Sequence, residues 1–515
     1  MKNEELLQAK ELKNESLKHN FRVSDEADNF HFREMSVAYH FAESKSGNSS
    51  CKLPVNTSEI LGSFESDLFL YRFQGKEPYR TVCLTGSNRI PCTVMFPESI
   101  IYTSEGRNVK LNSQRQGVEF EIAMHCTFFN NGRRIWTLVF SPRNGTLISQ
   151  DEVIKAINLF CHSQEQKVLA GNTSFKTGDG KYSSLTELAF NLAQKAASSN
   201  VNFVNLKLAE FQLINSGIVQ IDIMNITDSK IDVSNWRVVI ELIDRISKKD
   251  ANAFGQLEES YKNNQEIKEI LDLMCGFSLG IFDYTRMSFE EVIDTLRPIT
   301  SNRDSAILLN KGILASVSFL EDPVSTVRSA IGINPYLLIS SSVLAFDDYE
   351  TAYAESLLDK TLDKVTDNVK PTPRLEELIS TRNELQRIVN EEILTNVFHY
   401  QTERITLEHG LSHRGIKDRI QNIRNRLIDL NSVISDQVER DNQRNKIIVA
   451  LLLTAISILG LESFFGTVYN SVQENGGFAG MWAKEGAKWI VFVPVSVILF
   501  SLIAYFTIRD LKKRG

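Results

Sequence analysis

The sequence predicts an α+β domain followed by long stalk helices and two transmembrane helices per subunit. Three observations predict it. Residues 21 to about 370 alternate between strand-like and helix-like stretches. From Ile416 a helical stripe continues with no Gly or Pro before Gly460. Near the C-terminus lie two apolar runs, Lys446–Phe465 and Trp489–Ile508. The expected organisation is a cytosolic α/β domain over 1–370, with a subdivision near 171–200, and a helical stalk over 371–446. A first span over 447–469, an outer loop over 470–488, a second span over 489–508 and a basic tail over 509–515 follow.

The α+β part rests on local patterns. "YRTVCLTGSNRIPCTVMF" and "VEFEIAMHCTFFNNGRRIWTLVF" are rich in β-branched and aromatic residues, and Asn131-Gly132 is a hairpin signal between two such runs. "DEVIKAINLFC" reads as a capped helix. "GNTSFKTGDGKYSS" reads as a loop. Its "GDGK" lacks the first glycine and the closing Ser/Thr of a phosphate-binding P-loop. "WRVVIELIDRI", "NQEIKEILDLMC" and "FEEVIDTLRPI" are helical. "NPYLLISSSVLAF" reads as a buried strand followed by the helix "DDYETAYAESLLDKTLDKV".

The stalk rests on spacing. "KPTPR" marks a helix start, and Gly410 and Gly415 are candidate breaks. Ile416, Ile420, Ile423, Leu427, Leu430, Ile434 and Val438 then step by fours and threes, close to a heptad seam. A helix continuous to Leu459 would be about 65 Å long at the 1.5 Å rise per residue. Such a seam asks for a neighbour, which a ring of stalks supplies.

The spans rest on length and charge. Each run approaches the roughly 20 apolar residues that cross a bilayer. Arg440, Arg444 and Lys446 precede the first, and Arg509, Lys512, Lys513 and Arg514 follow the second. The positive-inside rule puts both termini in the cytoplasm of a two-span inner-membrane protein. The charged start "MKNEELLQAKELKNESLKHN" is no secretory signal. The six cysteines have neither zinc spacing nor a disulfide framework, and a net charge of -7 argues against direct nucleic-acid binding.

Candidate site residues follow from placement. Ser463, Thr467, Asn470 and Glu474 share one helix face, as either a pore lining or a polar end leaving the membrane. Thr454 and Ser457 line the pore deeper or bond back to their own helix. Glu462 is the acid within the first run. Asn442 and Asn445 stand at the cytoplasmic entrance or on a solvated stalk. "NNGRRIW" offers Arg133 and Arg134 as phosphate ligands and Trp136 as a stacking surface, against the blander reading of a basic hairpin tip with a core aromatic. Alternation separates Arg133 from Arg134 and Trp136. His409 and His413 lack a third metal ligand, so no metal site is assigned. No catalytic constellation stands out, so no enzyme is expected.

This order of parts, with "FFGTVYNSV" at the outer end of the first run, resembles the CorA family of divalent-cation channels. The resemblance implies a homo-pentamer in a lipid bilayer whose first span lines the pore. The family carries Tyr-Gly-Met-Asn there. Tyr469 matches the tyrosine, while Asn470, Ser471 and Val472 stand where Gly-Met-Asn would be. A divergent branch without that run is encoded beside type III CRISPR systems. Its members look like effectors of antiviral defence opened by a nucleotide second messenger, in some systems an S-adenosylmethionine–AMP conjugate. The expected function is therefore such a channel, needing no cofactor beyond its nucleotide ligand, with a divalent cation as a candidate conducted ion. The alternative is a constitutive magnesium or divalent-cation transporter.

Overall fold

The computed structural model describes residues 31–32, 35–44, 68–72, 80–85, 90–95, 117–129, 133–143, 148–149, 174–199, 208–222, 226–227, 233–279, 288–296, 298–302, 305–310, 313–318, 332–366, 373–392 and 401–474, with a few single positions. Its strands are β1 (His31–Phe32), β2 (Met35–Glu43), β3 (Leu68–Arg72), β4 (Arg80–Thr85), β5 (Ile90–Met95), β6 (Val118–Phe128), β7 (Arg134–Pro142) and β8 (Ile148–Ser149). The later strands are β9 (Ser174–Thr177), β10 (Gly180–Tyr182), β11 (Phe211–Asp222), β12 (Ile226–Thr227), β13 (Pro298–Asn302), β14 (Ser305–Leu309) and β15 (Ile313–Ser318). The helices are α1 (Leu185–Ser199), α2 (Val233–Ser247), α3 (Ala251–Asn263), α4 (Gln265–Leu279), α5 (Phe289–Thr295) and α6 (Pro335–Thr366). After α7 (Leu375–Arg387) a π-helical turn covers Ile388–Glu392, and α8 (Gln401–His413) and α9 (Ile416–Glu474) follow.

A twelve-stranded sheet carries the fold, in the order β10-β9-β5-β6-β7-β2-β11-β15-β14-β13, with β3 and β4 attached at β6. The β11–β15 pair is parallel, and its connection carries α2 to α5. Every other recorded pair of this sheet is antiparallel. β1, β8 and β12 form a separate three-stranded sheet.

The two faces of the large sheet differ in chemistry, and strand alternation makes them so. One face carries Val37, Tyr39 and Phe41 of β2, Phe120, Ile122 and Met124 of β6, Trp136, Leu138 and Phe140 of β7, and Val219 and Ile221 of β11. These pack into one apolar core with buried residues of α1, α2 and α4. The other face holds Ser36, Ala38 and His40 of β2, Thr137 and Val139 of β7, and Ile218 and Gln220 of β11. These are buried too, and Ser36, His40, Thr137 and Gln220 among them are polar. Here Ala38, Val139 and Ile218 pack with Ile333 and Leu338 at the start of α6.

The segment expected as a strand, "NPYLLISSSVLAF", is the first part of α6. Asn334 caps it, accepting from the Tyr336 N–H at 3.0 Å, and Pro335 takes the first helical position, where no N–H is needed. Two of its three serines satisfy themselves within the helix. Ser340 donates to the Tyr336 carbonyl and Ser342 to that of Leu338, each at 2.7 Å. The segment expected as a loop at "GNTSFKTGDGKYSS" contains the β9–β10 hairpin, closed between Thr177 and Gly180. The helix expected at "DEVIKAINLFC" lies outside the described residues, apart from buried Val153, Ala156 and Ile157.

Gly410 is no break. It lies within α8, where an added Cβ would come within 2.5 Å of a Leu344 methyl, so it lets α8 lie directly against α6. Gly415 does end α8, with φ +65, and α9 starts after it.

The expectation of a two-span CorA-like pentamer is overturned. Among the described residues no helix is long and apolar enough to cross a membrane. A bilayer asks for about 20 consecutive apolar residues. The 59-residue α9 is long, and Lys417, Arg419, Arg424, Arg426, Asp429, Glu439, Arg440, Arg444 and Lys446 charge its first half. The inner-membrane, two-span placement and the membrane-channel description fall with it. The second expected span, 489–508, lies outside the described residues except for Val497 and Ser501. Of the seam invoked for a ring of stalks, Ile416, Ile420, Ile423, Leu427, Leu430 and Ile434 are buried within the chain, while Val438 is exposed.

The contacts divide the chain into two units. The first comprises Met1–Ser356 with Gln386–Ile423, and the second Leu357–Leu385 with Arg424–Gly515. In the second, Arg426 pairs with Asp359 at 2.6 Å, and the Gln437 amide donates to the Pro373 carbonyl at 3.3 Å.

One buried acid makes the fold pH-sensitive. Asp272 of α4 accepts from the Tyr261 hydroxyl at 3.2 Å. Burial pushes its carboxyl up to about 6, with Glu269 adding to the rise, while Tyr261 and Lys268 work against it. The folded state thus holds this proton more tightly than the unfolded chain. Stability therefore falls as pH rises from about 4 to about 6 and stays lower above that, by about 2 to 3 kcal/mol from this group. Asp272→Asn keeps an acceptor for Tyr261 and removes the charge. Urea unfolding of this variant at pH 7.5 is expected to give higher stability than the parent. The gain should shrink toward pH 4, and an equal gain at both pH values would refute the assignment.

Candidate functional site

The polar face of the sheet and the side of α6 that covers it form a continuous buried polar seam. At its centre, His40 meets Thr137 Oγ1 through Nδ1 at 2.9 Å and Ser341 Oγ through Nε2 at 2.7 Å. β2 and β7 are paired with His40 opposite Thr137, so alternation brings both to the α6 side. Burial, with the Arg414 charge nearby, pulls His40 down to about 3, so the ring is neutral at physiological pH. At one end Ser36 and Ser141 both donate to the Gly332 carbonyl, and Gln220 accepts from the Asn334 N–H at 2.9 Å.

A serine hydroxyl on a histidine is the start of a nucleophile–base pair. Here the base is oriented by a threonine rather than a carboxylate, and Ser341 is wholly buried in mid-helix. This arrangement locks α6 to the sheet and offers no surface for a substrate.

The other end of the seam is charged. Arg133, just before β7, pairs with Glu350 of α6 at 2.5 Å, and both are almost fully buried. The same guanidinium lies 5.4 Å from the Tyr349 ring centre and 5.0 Å from that of Tyr353. Phe129 stacks on Phe346 at 4.0 Å, bringing the end of β6 against the same helix. Arg419, in the first turns of α9, takes Asp348 at 2.7 Å and Glu355 at 2.7 Å and 2.9 Å. Arg414, between α8 and α9, lies close enough to Asp348 and His40 to act on both charge balances.

The structure thus brings Arg133, Arg134 and Trp136 into the buried body of the protein. Arg134 and Trp136 face the apolar side, where both bind Glu43: Arg134 through its guanidinium and Trp136 through Nε1 at 2.9 Å. The Ala209 N–H also reaches that carboxylate at 2.8 Å. Burial raises the Glu43 carboxyl, against the lowering effects of Arg134, Trp136 and Ala209. The tip between β6 and β7, with Asn131-Gly132, lies outside the described residues.

Of the residues expected along a pore, Asn442, Asn445, Thr454, Ser457 and Ser463 have described side chains. Asn442 and Asn445 are exposed on α9. Thr454 is buried and donates to the Ala450 carbonyl, and Ser457 to that of Leu453, each at 2.7 Å. Ser463 is exposed. Glu462, Thr467, Asn470 and Glu474 belong to α9, but their side chains lie outside the described ones. His409 and His413 stack with ring centres 6.4 Å apart, and burial and the His413 charge lower His409. Among the described residues no group of side chains could hold a metal ion.

Sequence reasoning missed His40, Ser341, Asp348, Glu350, Arg414 and Arg419. A signal was available for the acids, since Asp347, Asp348 and Glu350 crowd a helix whose neighbours are apolar. No protein-family model matches the chain, and no characterised protein matches it either.

Proposed function

We propose that the chain is a non-catalytic, ligand-responsive effector of antiviral defence, in which the α/β unit takes a nucleotide-type small molecule and the start of α9 carries the response. The observation that supports this is the buried polar seam, which joins the sheet to α6 and, through Arg419 with Asp348 and Glu355, joins α6 to α9. Hydrogen-bonded seams have discrete arrangements, so a ligand that prefers one of them shifts the population. The resemblance of the part order to the type III CRISPR-associated branch supports the choice of ligand. The membrane half of that resemblance is set aside with the spans.

The test is hydrogen exchange and thermal unfolding of the full chain with the S-adenosylmethionine–AMP conjugate, with ATP as control. A ligand that binds only the folded state raises Tm with concentration. Slower exchange at the first turns of α9 is expected alongside that rise. No shift at saturating conjugate, or an equal shift with ATP, would sink the proposal.

A further inference from the structure

The later part of α9 is exposed in a regular way. Val438, Asn442, Asn445, Val449, Leu452 and Ile456 are all exposed, and they step by four, three, four, three and four. Residues at that spacing share one face of a helix, here about 27 Å long at 1.5 Å per residue. None of the six is charged, although Glu439, Arg440, Asp441, Arg444 and Lys446 stand between them. The opposite side of the same stretch is the one the chain covers itself: Ile447 and Ala450 are half-buried and Thr454 is buried. The stripe is therefore distinct from the buried seam of Ile416 to Ile434.

An uncharged stripe at heptad spacing, edged by charges, asks for a second helix. Its composition says which. An asparagine amide carries donors and an acceptor, so it is satisfied by a copy of itself. Parallel, in-register pairing of two α9 helices sets Asn442 beside Asn442 and Asn445 beside Asn445. An antiparallel pairing of the same six positions sets Asn442 against Leu452 and Asn445 against Val449, with each amide on an aliphatic side chain. The flanks agree with the parallel arrangement. With the stripe at the a and d positions of a heptad, exposed Asp441 takes g and exposed Lys446 the following e. In a parallel pair a g residue meets the e residue five positions further along the other helix, so Asp441 of each chain faces Lys446 of the other. The same pairing covers Val449, Leu452 and Ile456, which are 54%, 58% and 63% exposed in the single chain.

We infer that α9 pairs, parallel and in register, with α9 of a second copy of this chain along this stripe. The aliphatic positions supply the attraction, the asparagines fix the register, and Asp441 with Lys446 fixes the direction. The pairing is independent of any ligand at the first unit.

The experiment measures the mass of the full chain by light scattering over a range of concentrations, together with oxidation of single cysteine variants. The parent is expected to rise from monomer to oligomer with concentration. Asn442→Cys should form a disulfide between two copies of residue 442, identified by mass spectrometry of the linked peptides. Arg440→Cys, on the far side of the helix, should not. Leu452→Asp sets two carboxylates side by side and should weaken association at least about tenfold. At low salt Asp441→Lys should weaken it about three- to tenfold, and Asp441→Lys/Lys446→Asp should return it to near the parent value. All these positions are exposed, so an unchanged Tm of the dilute monomer checks that each variant folds. An oligomer that forms the disulfide at 440 as readily as at 442, or that ignores Leu452→Asp, overturns the pairing. A double charge variant as weak as Asp441→Lys overturns the parallel register. A parent that stays monomeric without the 442 disulfide leaves the stripe to another segment of the chain or to lipid, and overturns the inference.

Discussion

Glu350→Ala is expected to lower the unfolding free energy by about 3 to 5 kcal/mol, the usual cost of removing one member of a buried ion pair. Glu350 is 1% exposed and its Arg133 partner 5%, so solvent cannot take over the lost interaction. The flanking Tyr349 and Tyr353 rings still face the cation, but such contacts contribute about 2 kcal/mol at most when desolvated. Against a typical total of about 5 to 15 kcal/mol, the variant stands near the edge of folding. Urea unfolding at pH 7 measures it. The double variant Arg133→Met/Glu350→Ala removes both charges and should recover most of the loss. A double variant as unstable as Glu350→Ala would show that packing, not charge pairing, is what Glu350 supplies.

Glu43→Ala is the second large effect, again expected at about 3 to 5 kcal/mol. The carboxylate serves Arg134, the Trp136 indole and the Ala209 N–H together, tying β2 to β7 and to the chain entering β11. Glu43→Gln keeps an acceptor for Trp136 or Ala209 while giving up the charge opposite Arg134, so it should lose less. Trp136 fluorescence offers a local readout, since its indole N–H loses its acceptor in the alanine variant. An unchanged emission spectrum in folded Glu43→Ala would contradict the assignment.

Local chemistry was legible in the sequence wherever it acts over a few residues. The Asn131-Gly132 signal lies between β6 and β7, which pair across it, and "SFEE" closes as a capping box at Ser288. The apolar start of α6 misled because a short run of that composition suits a strand or a buried helix equally. Asn334 and Pro335 were the deciding cap. The apolar run after Lys446 pointed to a span through composition alone, while among the described residues no helix is long and apolar enough to cross a membrane. The site was illegible for a different reason. Arg133 and Glu350, or His40 and Ser341, meet only because the sheet is folded under α6, and nothing near either partner marks the other. Arg414 in "LSHRGI" has the look of an ordinary helix-end arginine, and only burial of its head separates it from one.

The division of the chain bears on how the molecule is born. The first unit needs Gln386–Ile423, which follow a stretch belonging to the second, and the second needs Arg424 onward. Chains usually fold from the N-terminus as they leave the ribosome. Here the sheet's polar face waits for α6, and the charges of α6 wait for Arg414 and Arg419. Until Ile423 has emerged, the nascent chain holds a layer of buried-to-be histidine, serine and carboxylate groups still in water. Completion of the first unit is thus a late event in synthesis, and a chain stalled before residue 414 would expose that layer to chaperones and proteases.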